Sequence, residues 1–297
     1  MPCSLKQPIR EDPMARKFFE MLEKRWAAGA RVCVGLDSDF KKVPTAVGVV
    51  NFNKAIIKAT KDLVLAYKPN IAFYSDKGGL RDLSDTMDIL HNEAPEVPVI
   101  LDAKRADIGN TNRGYVEEAF KNYEVDAVTV NPYFGMEAMK PFLDQKDKGT
   151  IVLCRTSNKG AEELQDLIVF VPKEAQKKWG ESTKRRMPLY EYVAHRVARE
   201  WNENGNCALV VGATVPEQLK IVREVVGDMW LLLPGIGAQG GDLQKSVQNG
   251  VNSRKRGVII NSSSGVIFAG SGANFAETAR LETQRLTFSI NQTLEQL

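Results

Sequence analysis

The sequence is poor in the residues that build disulfide frameworks, zinc sites and histidine-based catalytic sites. Its 297 residues include four cysteines and two histidines, namely Cys3, Cys33, Cys154, Cys207, His91 and His195. No two cysteines form a C-x-x-C pair, which argues against a zinc site or a thioredoxin-type motif. We therefore expect free, mostly buried thiols in a reducing compartment. Two histidines in predicted helices argue against a catalytic triad or a metal cage, and we expect no bound metal.

The sequence also lacks long apolar runs and a strong net charge. No stretch approaches the roughly 20 apolar residues of a transmembrane helix. Residues 1–16 are polar and lack the apolar centre of a signal peptide. The formal net charge is +3, from 40 basic and 37 acidic residues, which is too small to indicate nucleic acid or an anionic membrane as a partner. We expect a cytoplasmic protein that binds a small molecule.

What the sequence does contain is a regular alternation of apolar, β-prone runs with amphipathic segments. We predict eight strands, at Arg31–Leu36, Tyr67–Phe73, Val97–Leu101, Ala127–Val130, Thr150–Cys154, Ala208–Val211, Trp230–Leu233 and Val258–Ile260. The predicted helices are Phe18–Ala28, Asn53–Ala66, Leu80–Glu93, Thr111–Tyr123, Met136–Gln145, Tyr190–Asn202, Pro216–Val226, Asp242–Gln248 and one from about Asn274 onward. Such alternation indicates a parallel sheet. Eight strands favour a single α/β domain over residues 1–297, a closed (β/α)8 TIM barrel.

One segment interrupts this alternation. Residues 156–187 separate strand five from its helix, and they are long for a loop of this kind. Two basic clusters lie in this segment, Lys177-Lys178 and Lys184-Arg185-Arg186. Two interpretations stay open, a solvated loop with a short helix and a lid over the mouth of the barrel.

Charged residues gather where the predicted strands end, which is where barrels of this type carry their active sites. Asp102 and Lys104 stand two residues apart, so on an extended chain their side chains share the face toward the barrel interior. A structural ion pair would account for these two residues alone. It accounts less well for Asp107, Asp37 and Lys68 at the same rim. Such a cluster of alternating charge predicts a catalytic site that fixes protonation states and an electrostatic field.

A glycine-rich turn follows strand seven. Gly235, Gly237, Gly240 and Gly241 leave backbone N–H groups uncovered just before a predicted helix. Together with the loop Asn261–Gly265 after strand eight, this turn predicts a phosphate-binding site. The glycine spacing also imitates a dinucleotide fingerprint. We reject that interpretation because the turn comes near the end of the chain, with no earlier βαβ unit to match.

Taken together, the motifs resemble those of orotidine 5'-monophosphate decarboxylases of the longer bacterial type, over nearly the whole chain. The matching stretches are Val34–Asp37, Lys68–Tyr74, Leu101–Thr111, Val130–Tyr133, Arg155–Asn158 and Pro234–Asp242. The D-x-K-x-x-D run is specific to a small superfamily, and its combination with the GIGAQGGD stretch is specific to this decarboxylase. The resemblance implies a homodimeric barrel that converts orotidine 5'-monophosphate to UMP in pyrimidine biosynthesis, without a cofactor.

The resemblance also implies a role for each matching residue. Lys104 would deliver the proton to C6 of the pyrimidine while Asp102 lies against the leaving carboxylate. Asp107 and Thr111 would complete the site of the neighbouring subunit. The other residues implied in the site are Asp37 and Lys68 at the ribose, Ser157 at the pyrimidine edge, Gln239 between phosphate and base, and Pro234, Gly240, Ser264 and Gly265 in the substrate pocket.

One position departs from the family pattern. The family usually carries arginine in the pattern N-S-S-R-G, and this sequence has Ser264 there. A serine cannot make the bidentate charged contact of a guanidinium with phosphate. We therefore expect weaker binding of the phosphorylated substrate, by about 1.5–3 kcal/mol. Arg254, Arg256 and Lys159 are candidates to replace the missing contact.

Two other functions stay open. A magnesium-dependent sugar-acid phosphate decarboxylase of the same superfamily shares D-x-K-x-x-D but needs further carboxylates for the metal, and Pro234–Asp242 argues against it. A catalytically weakened nucleotide-binding barrel would have lost its activity with the arginine. The intact Asp102, Lys104 and Asp107 argue against that second alternative.

Overall fold

The computed structural model describes residues 16–75, 79–180, 183–236 and 241–297. These residues form the strands β1 (Val32–Leu36), β2 (Ala66–Pro69), β3 (Ile100–Arg105), β4 (Ala127–Val130), β5 (Gly149–Arg155), β6 (Ile168–Phe170), β7 (Arg186–Pro188), β8 (Cys207–Val211), β9 (Leu231–Leu233) and β10 (Val258–Ser262). Eight of them make one parallel sheet in the order β2-β1-β10-β9-β8-β5-β4-β3. Backbone bridges from Tyr67 to Val99 and from Asn70 to Asp102 bring its two ends together. The predicted (β/α)8 TIM barrel is confirmed.

Helices surround this sheet. They are α1 (Phe18–Ala27), α2 (Gly48–Thr60), α3 (Gly79–Glu93), α4 (Gly109–Glu117), α5 (Gly135–Leu143), α6 (Glu162–Gln165), α7 (Lys173–Trp179), α8 (Leu189–Arg196), α9 (Pro216–Val226), α10 (Leu243–Gly250), α11 (Ser264–Ile267) and α12 (Phe275–Glu295). Single π-helical turns at Glu118–Asn122 and Val197–Trp201 extend α4 and α8. No helix in the described part of the chain is long and apolar enough to span a membrane.

Three predicted elements have wrong boundaries in the structure. Strand two ends at Pro69, which has no N–H for the ladder, and a 3-10 turn at Ile71–Tyr74 follows it. Strand three continues to Arg105, so Asp102 and Lys104 lie inside the strand. The helix after β1 spans Gly48–Thr60 and not Asn53–Ala66. It ends before Ala66 because a short turn must lead the chain back into β2.

The barrel strands are buried because helices cover their outer face and the core fills the inner one. β1, β8 and β10 are buried at every residue. Cys33, Cys154 and Cys207 are free and buried, as predicted, whereas Cys3 lies outside the described residues. Helix α1 covers the amino-terminal end of the barrel, where the ring of Phe18 packs against Gly149 so closely that no Cβ would fit. The carboxyl-terminal end is left for the functional residues.

The segment 156–187 has more regular structure than a loop with one short helix. It contains α6, the antiparallel pair β6–β7, and α7. Val171, Ala175, Trp179 and Met187 form a small apolar core of its own. The indole Nε1 of Trp179 donates to Glu200 at 2.9 Å, which joins this segment to the helix that follows it.

Candidate active site

A cavity of about 640 Å³ opens at the carboxyl-terminal ends of the barrel strands. Side chains from most of these strands reach it: Asp37 after β1, Lys68 on β2, Asp102 and Lys104 on β3, Thr129 on β4, Val210 on β8, Pro234 after β9 and Asn261 on β10. Active sites of TIM barrels are assembled in this way, from the ends of several strands.

Four of these side chains form a connected array of charges. Lys68 Nζ lies 2.8 Å from Asp102 Oδ2 and 3.9 Å from Asp37 Oδ1. Lys104 Nζ donates to the other oxygen of Asp102, Oδ1, at 2.6 Å. The side chain of Lys68 is 3% exposed, and that of Lys104 is 49% exposed. Asp102 is therefore held between two ammonium groups, and Lys104 is the one more open to the cavity.

The array fixes the charges of its buried members. Burial lowers the pKa of Lys68, but the carboxylates of Asp102 and Asp37 outweigh burial and hold this pKa above its ordinary value. Burial raises the pKa of Asp102, but the ammonium groups of Lys68 and Lys104 outweigh burial and hold this pKa below its ordinary range. Both groups are consequently ionised at neutral pH. Charges held in place before a ligand binds can act on a reacting group without reorganisation.

The backbone at Lys104 is unusual for a lysine. Its φ angle is +48°, in the left-handed region that L side chains rarely adopt. The Lys104 N–H donates to Thr129 Oγ1 at 2.9 Å, and this hydroxyl donates to Asp102 Oδ1 at 2.9 Å. Thr129 thus fixes the backbone of one residue and the carboxylate of the other. Strained residues of this kind cluster at functional sites, where the surrounding structure holds them in place.

Neutral residues form much of the remaining wall, including Ser157, Pro234 and Ser264. A glycine at position 212 allows Ser157 to approach, because a Cβ there would lie 2.7 Å from the Cα of Ser157. Asn261 Nδ2 donates to Ser263 Oγ at 3.3 Å, and its buried Oδ1 has no hydrogen-bond partner among the described residues. Asp37 Oδ1 is likewise buried without a hydrogen bond from the described residues. Both oxygens are suited to accept hydrogen bonds from a ligand.

Comparison with known proteins identifies the family of this chain. The model of the orotidine 5'-phosphate decarboxylase / HUMPS family matches residues 30–279. The chain belongs to this family. An orotidine 5'-phosphate decarboxylase of Cellvibrio japonicus is 45% identical over 282 residues, covering 92% of this chain and 98% of that protein. The resemblance inferred from the motifs is confirmed.

Solved structures show the same relationship. Leishmania donovani OMP decarboxylase superimposes with a TM-score of 0.78 at 36% identity, covering 94% of this chain and 99% of that one. Leishmania donovani UMP synthase superimposes with a TM-score of 0.79 at 38% identity over 93% of this chain. This chain spans 56% of that longer protein.

The cavity of this decarboxylase-family chain brings together only part of the predicted site. Among the predicted residues, Asp37, Lys68, Asp102, Lys104, Ser157, Pro234 and Ser264 line it. Asp107, Thr111 and Gly265 are not part of its wall, and the Asp107 carboxylate accepts from the Ile108 N–H at 2.7 Å. Gln239 and Gly240 lie outside the described residues. Asp107 therefore does not line the cavity of its own chain, and its role in the site stays a prediction.

The three residues predicted to replace the arginine at position 264 do not line the cavity. Arg254 and Arg256 precede β10, so they lie at the amino-terminal end of the barrel. There they pair with Asp228 at 3.2 Å and with Glu23 at 2.6 Å. Lys159 is exposed and does not line the cavity. Charge alone made these three residues candidates. The direction of the strands excludes the two arginines from the cavity, which lies at the opposite end of the barrel.

Sequence reasoning gave no role to several residues of the wall, among them Asn70, Thr129 and Lys42. The signal for Thr129 was a hydroxyl in the otherwise apolar strand Ala127–Val130. Asn70 follows β2 within a stretch that matches the family. For Lys42 the sequence offered no signal, since it stands among other charged residues in a loop. No group of three or more His, Cys, Asp or Glu suited to a metal ion occurs in the described part of the chain.

Proposed function

We propose that this protein removes the carboxylate of orotidine 5'-monophosphate as carbon dioxide and releases UMP, as a carboxy-lyase of pyrimidine biosynthesis. The observation that carries this proposal is the array Lys68–Asp102–Lys104 at the mouth of a barrel of this family. The reaction needs no cofactor, since the residues that we assign to it supply both the charge and the proton.

The chemistry explains why a lysine must stand beside a carboxylate. When the bond between C6 and the carboxylate breaks, its electron pair stays on C6, where no conjugated group takes it up. The Lys104 ammonium stabilises this negative charge and then transfers a proton from Nζ to C6. Asp102 stays ionised and repels the substrate carboxylate beside it. This repulsion disappears when the carboxylate leaves as neutral carbon dioxide.

The rest of the cavity is assigned to the nucleotide. Asp37 and Lys68 bind the ribose hydroxyls. This assignment is supported by Asp37 Oδ1, which is buried and accepts no hydrogen bond from the described residues. Ser157 binds the pyrimidine edge. The phosphate lies near the loops after β9 and β10, which carry Pro234, Gln239, Gly240, Ser264 and Gly265, the position at which such barrels bind phosphate. These contacts distant from C6 supply binding energy that orders the site.

We also propose a homodimer in which Asp107 and Thr111 complete the site of the partner subunit. Asp107 does not line the cavity of its own chain, which supports this assignment. Large apolar side chains are exposed at Ile108, which follows Asp107 in the chain, and around the start of α5 at Tyr133, Phe134 and Met136. Tyr133 is 87% exposed. A second copy would cover such a surface.

Two further assignments belong to this proposal. Residues 156–187 act as a lid, which is supported by the contact of Gln165 and Thr156 with the cavity. The protein works in the cytoplasm on a small molecule and not on nucleic acid or membrane. The three cysteines among the described residues are free and buried, and the net charge is +3. Both observations support this location and this choice of partner.

The test is the loss of orotidine 5'-monophosphate absorbance in the wild type and in Lys104→Ala. We expect turnover by the wild type and a loss of at least about 1000-fold in kcat in the variant, because charge and proton are removed together. Lys121→Ala is the matched control, since Lys121 is an exposed lysine on the outer surface that pairs with Glu117. Binding of UMP without turnover would instead support a nucleotide-binding barrel. Activity on a sugar-acid phosphate that EDTA abolishes would support the magnesium-dependent alternative.

A further inference from the structure

Within the described residues, the end of the cavity formed by the loops after β9 and β10 carries little positive charge. The loops after β9 and β10 contribute Pro234, Gly235, Ile236, Ser263 and Ser264 to the wall, and none of these is charged. No arginine lines the cavity within the described residues, and the cations that do are Lys42, Lys68 and Lys104. A phosphate dianion bound among neutral groups alone would be poorly compensated.

Two of the three lysines are already engaged. Lys68 and Lys104 each contact a carboxylate oxygen of Asp102, at 2.8 and 2.6 Å. Lys42, by contrast, forms no ion pair with the carboxylates of the described residues, and its ammonium lies 5.7 Å from the ring centroid of Phe268. Among the described residues of the wall, Lys42 is thus the cation that is free to meet an anion.

The fold places Lys42 beside the loop that follows β10. β1 and β10 are neighbours in the sheet, with Val34 opposite Ser262, so the loops that follow them start side by side. The loop after β1 is held as a turn, because the N–H groups of Lys42 and Val43 both donate to the Asp39 carbonyl, at 2.8 and 3.0 Å.

Phe268 connects this turn to the position that lacks the arginine. The Phe268 N–H donates to the carbonyl of Ser264 at 3.2 Å, so its ring stands one helical turn beyond Ser264. The ammonium of Lys42, near this ring, therefore faces the same end of the cavity as Ser264.

We propose that Lys42 supplies the cationic contact to the 5'-phosphate of the substrate, in place of a guanidinium at position 264. The inference rests on the proposed function, since it assumes a nucleotide with its phosphate at the loops after β9 and β10. A lysine acts as a single flexible point charge and not as a bidentate fork. The contact therefore supplies charge without fixing the orientation of the phosphate.

The test compares the binding of UMP and of uridine, which differ by the phosphate, using titration calorimetry. We expect Lys42→Met to raise the Kd of UMP by about 10- to 100-fold, the loss of one charged hydrogen bond, and to leave the Kd of uridine unchanged. Lys41→Met is the matched control because it removes the same charge from the neighbouring residue, which does not line the cavity. It should bind both ligands as the wild type does.

Adding Ser264→Arg makes the test sharper. If the two positions serve the same phosphate, the arginine should improve UMP binding more in the Lys42→Met background than in the wild type. Unchanged UMP binding in Lys42→Met, or an equal loss for UMP and uridine, would overturn the role of Lys42 while wild-type turnover left the decarboxylase function intact. A wild type that neither binds UMP nor decarboxylates its precursor would remove the proposed function, and this inference with it.

Discussion

Asp102 is the residue on which the buried charge of the site depends. It contacts Lys68 at 2.8 Å, whereas the next carboxylate, that of Asp37, is 3.9 Å away. Asp102→Asn would leave the ammonium of Lys68 buried with one distant counterion. We expect the variant to lose about 3 kcal/mol of unfolding free energy at pH 7, the typical cost of breaking a buried pair, as measured by urea denaturation.

The pH dependence of this loss has a defined sign. The pKa of Asp102 is lower in the folded than in the unfolded chain, so its stabilising contribution is present above about pH 4, the unfolded value, and is lost as the pH falls further. The difference between wild type and Asp102→Asn should therefore shrink from about pH 4 downward. The exposed Asp88→Asn on α3 should follow the wild type at every pH. A constant difference for Asp102→Asn would contradict the assigned charge.

The sequence predicted individual site residues where a charged side chain stands in an apolar strand, because burying such a charge costs free energy. Asp102 and Lys104 stood out as charges at the end of an apolar strand, and the structure brings them to 2.6 Å. The left-handed backbone of Lys104 and the hydroxyl of Thr129 that holds it could not be inferred. Both depend on the register between β3 and β4, which shifts between Leu101 and Arg105.

Among the secondary-structure elements, the apolar pattern of the sequence predicted the strands of the barrel. It did not predict the strands and helices of the segment 156–187. Strand four was predicted at its observed bounds because it is apolar and ends at a turn. In β6, the large apolar side chains of Ile168 and Phe170 are exposed, so this strand does not contribute to the barrel core that the apolar runs were used to predict. Its pairing with β7 joins residues about 20 apart, such as Ile168 with Pro188, and such contacts leave no local pattern in the sequence.

The small core of this segment should hold it independently of the barrel. Trp179 packs with Val171, Ala175 and Met187 and donates to Glu200. We expect Trp179→Ala to cost about 3 kcal/mol locally and to speed amide hydrogen exchange across 164–180 and 183–188, with β1 and β10 unchanged. Phe170→Ala removes an exposed aromatic of the same segment and should have little effect. Equal acceleration in the barrel strands would show that the segment and the barrel unfold together.

In the whole molecule, the third charge of the D-x-K-x-x-D run does not line the cavity of its own chain. The D-x-K-x-x-D run predicts three charges at one site, and the cavity contains two of them, Asp102 and Lys104. β3 ends at Arg105 and α4 begins at Gly109, so Asp107 lies in the connection between them and not on the strand. The spacing in the sequence could not predict the position of Asp107. Side chains alternate between two faces only within a strand, and β3 ends at Arg105. In the proposed dimer, Asp107 would reach the cavity of the partner subunit.

A shared site predicts recovery of activity when two inactive variants are mixed. Lys104→Ala and Asp107→Ala should each be nearly inactive alone. If subunits exchange at random, half of the dimers are mixed and each holds one site with both residues intact, so the mixture should recover about a quarter of wild-type turnover. Lys104→Ala mixed with Asp102→Ala is the control. Those two residues come from the same chain, so every mixed site lacks one of them and no activity should return. No recovery in the first mixture would place Asp107 in the site of its own chain or outside the reaction. Recovery in the control would show that the regained turnover does not depend on a site shared between subunits.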